Sequence, residues 1–197
     1  MSEAPAKPGR VYLTAWSLYL VMAIAGVVWV GWREGRVPAN LFVDTGGWWV
    51  DLGLGIAAGT ALVGLWEIAR NLSWNARLLE ERIGELLGPL GRSEAIALAL
   101  ISGFSEELFF RGAMQGSLGW IVATAVFTLL HLGPGPEYRP WTLFALAAGL
   151  GLAGLVIWRQ NLLAPVVAHT LVNAVGLLRV VANHRSAEPP IVPGKRS

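Results

Sequence analysis

The chain consists of apolar stretches of about 20 residues that are separated by short polar segments rich in glycine and proline. An α-helix of ~20 apolar residues is long enough to cross the hydrocarbon core of a bilayer. The pattern predicts spanning helices at about 13–32, 48–68, 93–116, 117–132 and 141–158, with a sixth that contains His169 and Asn173 and ends near Val181. Gly55 and Gly59 in the second, and Gly149, Gly151 and Gly154 in the fifth, favour close helix contacts.

Segment 71–90 has a different pattern from these runs. Its apolar residues recur at helical spacing among charged ones, at Leu72, Leu78, Leu79, Ile83, Leu86 and Leu87. Such spacing predicts an amphipathic helix that lies on the membrane surface or against the bundle. The predicted fold class is therefore all-α: a polytopic transmembrane helical bundle of about six spanning helices plus one amphipathic interfacial helix.

We interpret residues 1–197 as a single membrane domain. Its parts are an N-terminal tail at 1–10, two helices within 13–68, the amphipathic helix at 71–90, a core at 92–182 that contains the candidate catalytic residues, and a disordered tail at 183–197. The apolar run of the first helix is too long for the core of a signal peptide, so it is expected to be retained. Asp51, close to Trp48 and Trp49, is expected to reach the interface.

The composition agrees with a membrane protein. Charged residues make up 14% of the chain, against roughly 25% in soluble domains, and the mean hydropathy is +0.54. The sequence pI near 9.4 needs no nucleic-acid partner, because basic residues beside membrane helices set orientation. The absence of cysteine excludes disulfides and thiolate metal ligands.

Three ionisable residues interrupt the third apolar segment: Glu106, Glu107 and Arg111. A charge at the bilayer centre costs ~2.5–3.5 kcal/mol on insertion scales, so such residues indicate function. Glu107 and Arg111 are four apart with the acid first, which favours a pair on one helix face. Glu106 points about 100° away around the axis and has no partner in its own segment.

Three further polar residues of the apolar segments can take part in chemistry: His131, His169 and Asn173. His131 follows Phe127 by four residues, so the two rings are expected to pack together, and His169 and Asn173 share a helix face. All of these groups are costly in lipid, so they are expected to face inward and meet. The third histidine, His184, lies in the predicted tail and is given no role.

The chemistry that this set supports is hydrolysis. A carboxylate can take a proton from water, a histidine beside it can share that proton, and an amide or second histidine can donate to an oxyanion. Zinc held by Glu106, His131 and His169 is the alternative, although the helical HExxH signature is absent. Two other classes stay open, a proton-coupled membrane transporter and a catalytically silent scaffold of the same fold.

Three motifs occur in order: Glu106-Glu107-x-x-x-Arg111, Phe127-x-x-x-His131 and His169-x-x-x-Asn173. Together they resemble the successive motifs of the CAAX-protease and bacteriocin-processing (CPBP, or Abi) intramembrane endopeptidases, over roughly residues 90–180. Eukaryotic members of that family remove the last three residues of prenylated proteins. The resemblance implies an endopeptidase, in the cell inner membrane, that acts on a membrane-embedded or lipid-tethered peptide or protein, with no nucleic acid involved.

The resemblance also implies roles for the residues. Glu106 and His131 would activate water, His169 and Asn173 would bind the oxyanion, and Glu107 and Arg111 would support the site together with Phe127. The family has been called metalloprotease, yet its eukaryotic branch resembles a metal-independent glutamate protease. Because asparagine is a poor zinc ligand and a good amide donor, Asn173 favours the metal-free form.

One distance is left open by the pattern of helices. Glu106 lies ~18 Å along the third helix from its start, at 1.5 Å per residue, whereas His131 lies at the end of the fourth. The two meet only if the fourth helix is tilted or if the segment after it, Gly133–Pro136, enters the bundle.

Charge asymmetry generates a prediction about topology. Six spans place both termini on one side, and basic residues concentrate there: Lys7, Arg10, Arg70, Arg77, Arg82, Arg92, Arg139, Arg179, Arg185, Lys195 and Arg196, against Arg33, Arg36 and Arg159 opposite. Since basic residues stay cytoplasmic, both termini are expected in the cytoplasm. Reporter fusions at each end should read cytoplasmic, and an external signal from either end would contradict the six-span topology.

Overall fold

The computed structural model describes residues 8–43 and 47–187, and within them the secondary structure is helical with no strand. The elements in order are α1 Pro8–Glu34, α2 Trp48–Leu72, α3 Trp74–Leu87, α4 Arg92–Glu106, a π-helix Glu107–Gln115, α5 Gly116–Leu118, α6 Trp120–Leu130, a 3-10 turn Pro136–Tyr138, α7 Arg139–Arg159 and α8 Leu163–Ala187. The predicted all-α class is confirmed.

Four of the described helices are long and apolar enough to cross a membrane: α1, α2, α7 and α8. The helix formed by α4, the π-helix and α5 is also long, but it carries the charged motif. α6 has 11 residues and is therefore only about 16 Å long. The fold is a polytopic helical bundle, in which α6 is shorter than the predicted 117–132 because Gly119, with φ of 85°, turns the chain before it.

Two helix ends differ from the prediction. α4 begins at Arg92 with Gly91 as its N-cap, and the Glu94 carboxylate accepts the Gly91 N–H at 2.6 Å, so the predicted start near Ser93 is one residue late. α8 continues to Ala187, so residues 183–187 are helical and not part of a disordered tail. The reason is packing, since α8 lies along α3. Residues 1–7 and 188–197, the rest of the predicted tails, lie outside the described residues.

α8 is the central helix of the bundle. It packs against α2, α3, α4 and α7, and it touches the π-helix, while α1 packs on the other side of α4 and the π-helix. α6 packs between the π-helix and α7. The acidic motif and the His169 motif therefore lie on neighbouring helices in the middle of the protein.

The amphipathic helix α3 lies against the bundle. Trp66 of α2 donates its indole N–H to Glu80 at 2.8 Å, and Arg179 of α8 lies 3.6 Å from Glu80. Arg82 forms a further ion pair with the buried Glu137 of the 3-10 turn. These contacts join α3 to two helices and to the segment that follows α6.

Small residues bring α2 and α8 together, as predicted. A Cβ at Gly55 would lie 2.7 Å from the backbone oxygen of Ala164, and one at Gly59 would lie 2.9 Å from that of Ala168. Both distances are too short for a methyl group, so these glycines are required by the approach of the two backbones.

Close helix contacts are predicted at three glycines of α7, and the structure shows one of them, at Gly149. A Cβ at Gly149 would lie 3.1 Å from the Thr124 side chain of α6. Gly151 and Gly154 have no described atom within 4 Å of such a Cβ. They face away from the neighbouring helices, so the prediction of close contacts there is wrong.

The contact between α2 and α8 generates a stability prediction. Gly55→Ala forces a methyl group against α8 and is expected to destabilise the fold by about 1–3 kcal/mol, the usual cost of overpacking. Gly53→Ala on the same helix is the matched control, because no neighbouring side chain or helix of the described residues lies within 4 Å of a Cβ at Gly53. Thermal unfolding in detergent should show a lower Tm for Gly55→Ala alone. Equal Tm values for the two variants would contradict the packing.

Candidate active site

The helix that carries the acidic pair widens at that pair. α4 ends at Glu106, and from Glu107 to Gln115 the chain forms a π-helix, with its hydrogen bonds running from i to i+5. Such segments are rare and are frequent at functional sites. Glu106 is 8% exposed, Glu107 is fully buried, and Arg111 is 2% exposed. The sequence pattern predicts an ordinary helix here and does not reveal the π-helix.

Glu107 joins two helices through one carboxylate. Its Oε1 accepts a hydrogen bond from Nδ1 of His169 at 2.7 Å, and its Oε2 lies 3.4 Å from Nε of Arg111. The predicted pair of Glu107 and Arg111 is therefore present, and the bond to His169 is one that the sequence did not predict. Because a carboxylate only accepts, Nδ1 of His169 carries the proton.

Glu106 faces the other nitrogen of the same histidine. Its Oε2 lies 3.9 Å from Nε2 of His169, which is too long for a hydrogen bond. Glu106 thus lacks the close partners that Glu107 has, as the sequence predicts. The two adjacent carboxylates contact opposite edges of one imidazole ring.

Phe127 packs against the side chains of Arg111, His131 and His169. The Arg111 guanidinium is 4.5 Å from the centre of the Phe127 ring, a cation–π distance. The His131 ring is 4.4 Å from it, which confirms the predicted packing, and the His169 ring is 6.0 Å away. Phe127 therefore packs against Arg111 and both histidines.

The backbone of Phe127 fixes the tautomer of His131. Nδ1 of His131 lies 2.7 Å from the Phe127 carbonyl oxygen, and a carbonyl oxygen only accepts, so Nδ1 is the donor. In the neutral ring Nε2 is then the basic nitrogen. Thr142 of α7 donates to the His131 carbonyl at 2.9 Å, which holds the end of α6 in place.

Asn173 is one turn after His169 on α8. Its Nδ2 donates to the Ser102 hydroxyl of α4 at 2.9 Å, and Ser102 in turn donates to the Ala99 carbonyl at 3.2 Å. An asparagine amide has two N–H groups, so this bond orients the amide and leaves a second donor.

Glu106, His131, His169 and Asn173 line one cavity of about 270 Å³. They come from α4, from the end of α6 and from α8, so the structure brings together the four residues predicted as catalytic. α6 is short and ends where His131 reaches the cavity. His131 and Glu106 can therefore line the same cavity although they lie on different helices. Ser105 is fully buried and is not among the cavity residues.

The wall of this cavity is mainly apolar and extends to α3. Besides the four polar residues it includes Tyr19, Leu62, Val63, Trp66, Glu80, Ile83, Leu87, Leu98, Trp141, Phe144, Leu152 and Arg179. Arg179 forms an ion pair with Glu67 of α2. The cavity can therefore receive an apolar chain between the polar cluster and the charged residues near α3.

A second cavity, of about 260 Å³, lies behind the π-helix and is lined by Arg111, Gln115 and Arg33 among others. Arg33 of α1 donates to the carbonyl oxygens of Gly112 and Ala113 at 3.1 and 3.0 Å. These bonds satisfy acceptors near the end of the π-helix. The sequence pattern does not indicate this role of Arg33, since its partners are about 80 residues away.

Asp51 is a further residue whose role the sequence pattern did not indicate. It is fully buried, and its carboxylate accepts from the Arg159 side chain and from Nδ2 of Asn161 at 2.8 Å. The Asn161 side chain also accepts the Leu163 N–H at 3.0 Å, at the start of α8. Asp51 is therefore enclosed by protein and does not extend to solvent as a snorkelling side chain would. It holds the turn that precedes α8.

The residues predicted as possible zinc ligands do not form a ligand cluster. Within residues 8–43 and 47–187, no three histidine, aspartate or glutamate side chains are arranged to hold one ion. Nδ1 of each site histidine is already bonded, to Phe127 in one case and to Glu107 in the other. Metal dependence itself stays a prediction.

A polytopic helical bundle whose Glu–Glu–His–His–Asn cluster includes the buried Glu106, Glu107 and His169 defines the class of protein, an integral membrane protein with a polar site inside. Residues 90–175 match the family model "Type II CAAX prenyl endopeptidase Rce1-like". The resemblance to the CPBP family is thereby confirmed. The matched family is one of CAAX-protease-like intramembrane endopeptidases.

One curated relative is similar to part of the chain. The chain is 33% identical over 91 residues to "Uncharacterized protein YpbD" of Bacillus subtilis (strain 168), over 45% of this chain and 47% of the relative. The chain thus spans about half the length of this relative. No solved structure matches the chain significantly.

The buried contacts of Glu107 generate a stability prediction. Glu107→Ala leaves the Arg111 guanidinium without its carboxylate in a dry site, and breaking a buried pair in this way costs about 3–5 kcal/mol. We expect a strongly lowered Tm in detergent, measured by thermal unfolding. Glu106→Gln is the control: it alters the neighbouring carboxylate, which lacks these contacts, and is expected to keep the Tm. A Glu107→Ala protein as stable as wild type would exclude a structural role for the pair.

Proposed function

We propose that the protein is an intramembrane endopeptidase that hydrolyses a peptide bond of a membrane-embedded or lipid-tethered substrate. The observation that carries the proposal is the convergence of Glu106, His131, His169 and Asn173 on one cavity. Four polar side chains from three elements meet inside an apolar bundle, where each is costly to place. Their convergence therefore indicates a functional site. The family match over residues 90–175 supports hydrolysis over transport or a silent scaffold.

Glu106 acts as the general base in this proposal. A water molecule between Glu106 and Nε2 of His131 gives a proton to the carboxylate as its oxygen attacks the carbonyl carbon of the peptide. His131 orients that water through Nε2, since its Nδ1 is held by the Phe127 carbonyl. When the C–N bond breaks, Glu106 returns the proton to the leaving amine, so the products are a carboxylic acid and an amine.

His169 and Asn173 stabilise the oxyanion of the tetrahedral intermediate. Asn173 has an N–H beyond the one given to Ser102, and preorganised donors of this kind are a main source of rate enhancement. Nδ1–H of His169 is bonded to Glu107, so His169 donates to the oxyanion from Nε2 in its protonated form. Glu107 supports that positive charge, which gives the second carboxylate a role distinct from that of the base.

The apolar cavity wall supports a substrate with apolar residues beside the scissile bond. Leu62, Val63 and Leu98 belong to this wall, and burial of apolar groups contributes about 25 cal/mol per Å². A prenylated CAAX-type peptide is a substrate of this chemistry. We propose that class as the first probe, together with its unprenylated form.

The test is cleavage by purified protein in nanodiscs. The probe is an internally quenched peptide that ends in S-farnesyl-cysteine, two aliphatic residues and a variable last residue. We expect wild type to cleave it and Glu106→Gln to lose at least ~100-fold in rate, the low end for general base catalysis. The exposed Glu81 on α3 supplies the control Glu81→Gln, which should keep its activity. Equal rates in Glu106→Gln and wild type would sink the assignment of the base.

The same assay decides the metal question. We propose metal-free catalysis, because asparagine is a poor zinc ligand and a good amide donor, and Asn173 lies beside the two histidines. Demetallated protein is expected to keep its rate, with elemental analysis of the active preparation showing no stoichiometric metal. Activity that is lost on removal of zinc and restored on its return would make Glu106, His131 and His169 the ligands instead.

A further inference from the structure

α1 contributes one side chain to the wall of the catalytic cavity, that of Tyr19. α1 packs along α4 and the π-helix, and the Tyr19 ring packs against an apolar cluster that includes Leu98 and Val181. Tyr19 and Glu106 line the same cavity. The Tyr19 ring is therefore held by packing at the cavity that the proposed base also lines.

Glu106 needs a hydrogen-bond donor. Its Oε2 is buried and has no hydrogen-bond partner under ordinary distance and angle limits among the described residues, and Nε2 of His169 is 3.9 Å from it. A buried acceptor without a donor is costly, and more so when it is charged. In contrast, the neighbouring Glu107 contacts both His169 and Arg111.

We propose that Tyr19 is a positioning residue that donates its hydroxyl to Glu106 and holds this carboxylate toward the cavity. The proposal rests on the proposed function, in which Glu106 is the base. Tyr19 lies on α1, outside the segment 90–175 that matches the family model. A helix beyond the matched core thus completes the site.

The chemistry of a phenol suits this role. An arginine beside Glu106 would neutralise the carboxylate and weaken it as a base. A tyrosine hydroxyl is neutral, so it orients the carboxylate through one hydrogen bond and leaves the other lone pairs to accept a proton from water. The two carboxylates are then held in different ways. Glu107 accepts from the ring N–H of His169 and pairs with the Arg111 cation, whereas Glu106 accepts from a hydroxyl.

The test begins with a readout that does not require a substrate. Infrared difference spectra of wild type minus Glu106→Gln isolate the carboxyl bands of Glu106. The same difference is measured in the Tyr19→Phe background, where the hydroxyl is missing and the ring is retained. We expect the Glu106 bands to shift in Tyr19→Phe, because the hydrogen bond to the carboxyl group is lost.

Tyr12→Phe is the matched control. Tyr12 lies two turns earlier on α1 and packs against the same apolar cluster, but it is not among the cavity residues. Its variant is expected to leave the Glu106 bands and the cleavage rate unchanged. A band shift in both variants would point to a general disturbance of α1 and would overturn the proposal.

Turnover of the farnesylated quenched peptide tests the catalytic consequence. Loss of one hydrogen bond to a charged group is expected to lower kcat of Tyr19→Phe by about 10-fold or more, with KM within about twofold. Unshifted Glu106 bands, or shifted bands with an unchanged kcat, overturn the proposal. Failure of the proposed function looks different, since wild type then cleaves no peptide while the band shift in Tyr19→Phe still reports the bond to Glu106.

Discussion

The buried carboxylate of Glu107 is the contact on which the rest of the site depends. It is fully buried, accepts from His169 of α8 and pairs with Arg111 one π-helical turn further along the same segment. Removing such a charge from water is expensive, and the cost is offset only when each oxygen meets a charged or hydrogen-bonding partner. Glu107 therefore fixes both the rotation of the π-helix and the orientation of the His169 ring.

The orientation of the His169 ring gives the two carboxylates different surroundings. With Nδ1 directed at Glu107, Nε2 is turned toward Glu106 and the cavity. Glu106 has no cation within hydrogen-bond distance, which agrees with its proposed role as the base. Phe127 supports the arrangement from α6, with Arg111 over its ring and His131 beside it.

Contacts far from the cavity decide whether these groups meet. α8 carries His169 and Asn173, and its position is set by the approach of α2 at Gly55 and Gly59 and by the Asp51 network at its start. Arg33 of α1 satisfies carbonyl groups near the end of the π-helix. The geometry of the cavity is thus a property of the whole bundle, because the helices that line it are placed by contacts outside the cavity.

The sequence by itself determined what depends on spacing within one helix and on the cost of polarity in lipid. The pairing of Glu107 with Arg111, the packing of Phe127 on His131 and the close approach at Gly55 follow from residues three or four apart and from side-chain size. The convergence of Glu106, His131, His169 and Asn173 was predictable because each is costly in lipid. Only the tertiary structure decided that His169 bonds to Glu107, that the chain widens into a π-helix, that α6 ends at the cavity and that Tyr19 of α1 lines the same cavity as Glu106. Those features depend on the rotation, length and approach of separate helices, which no periodicity within one segment encodes.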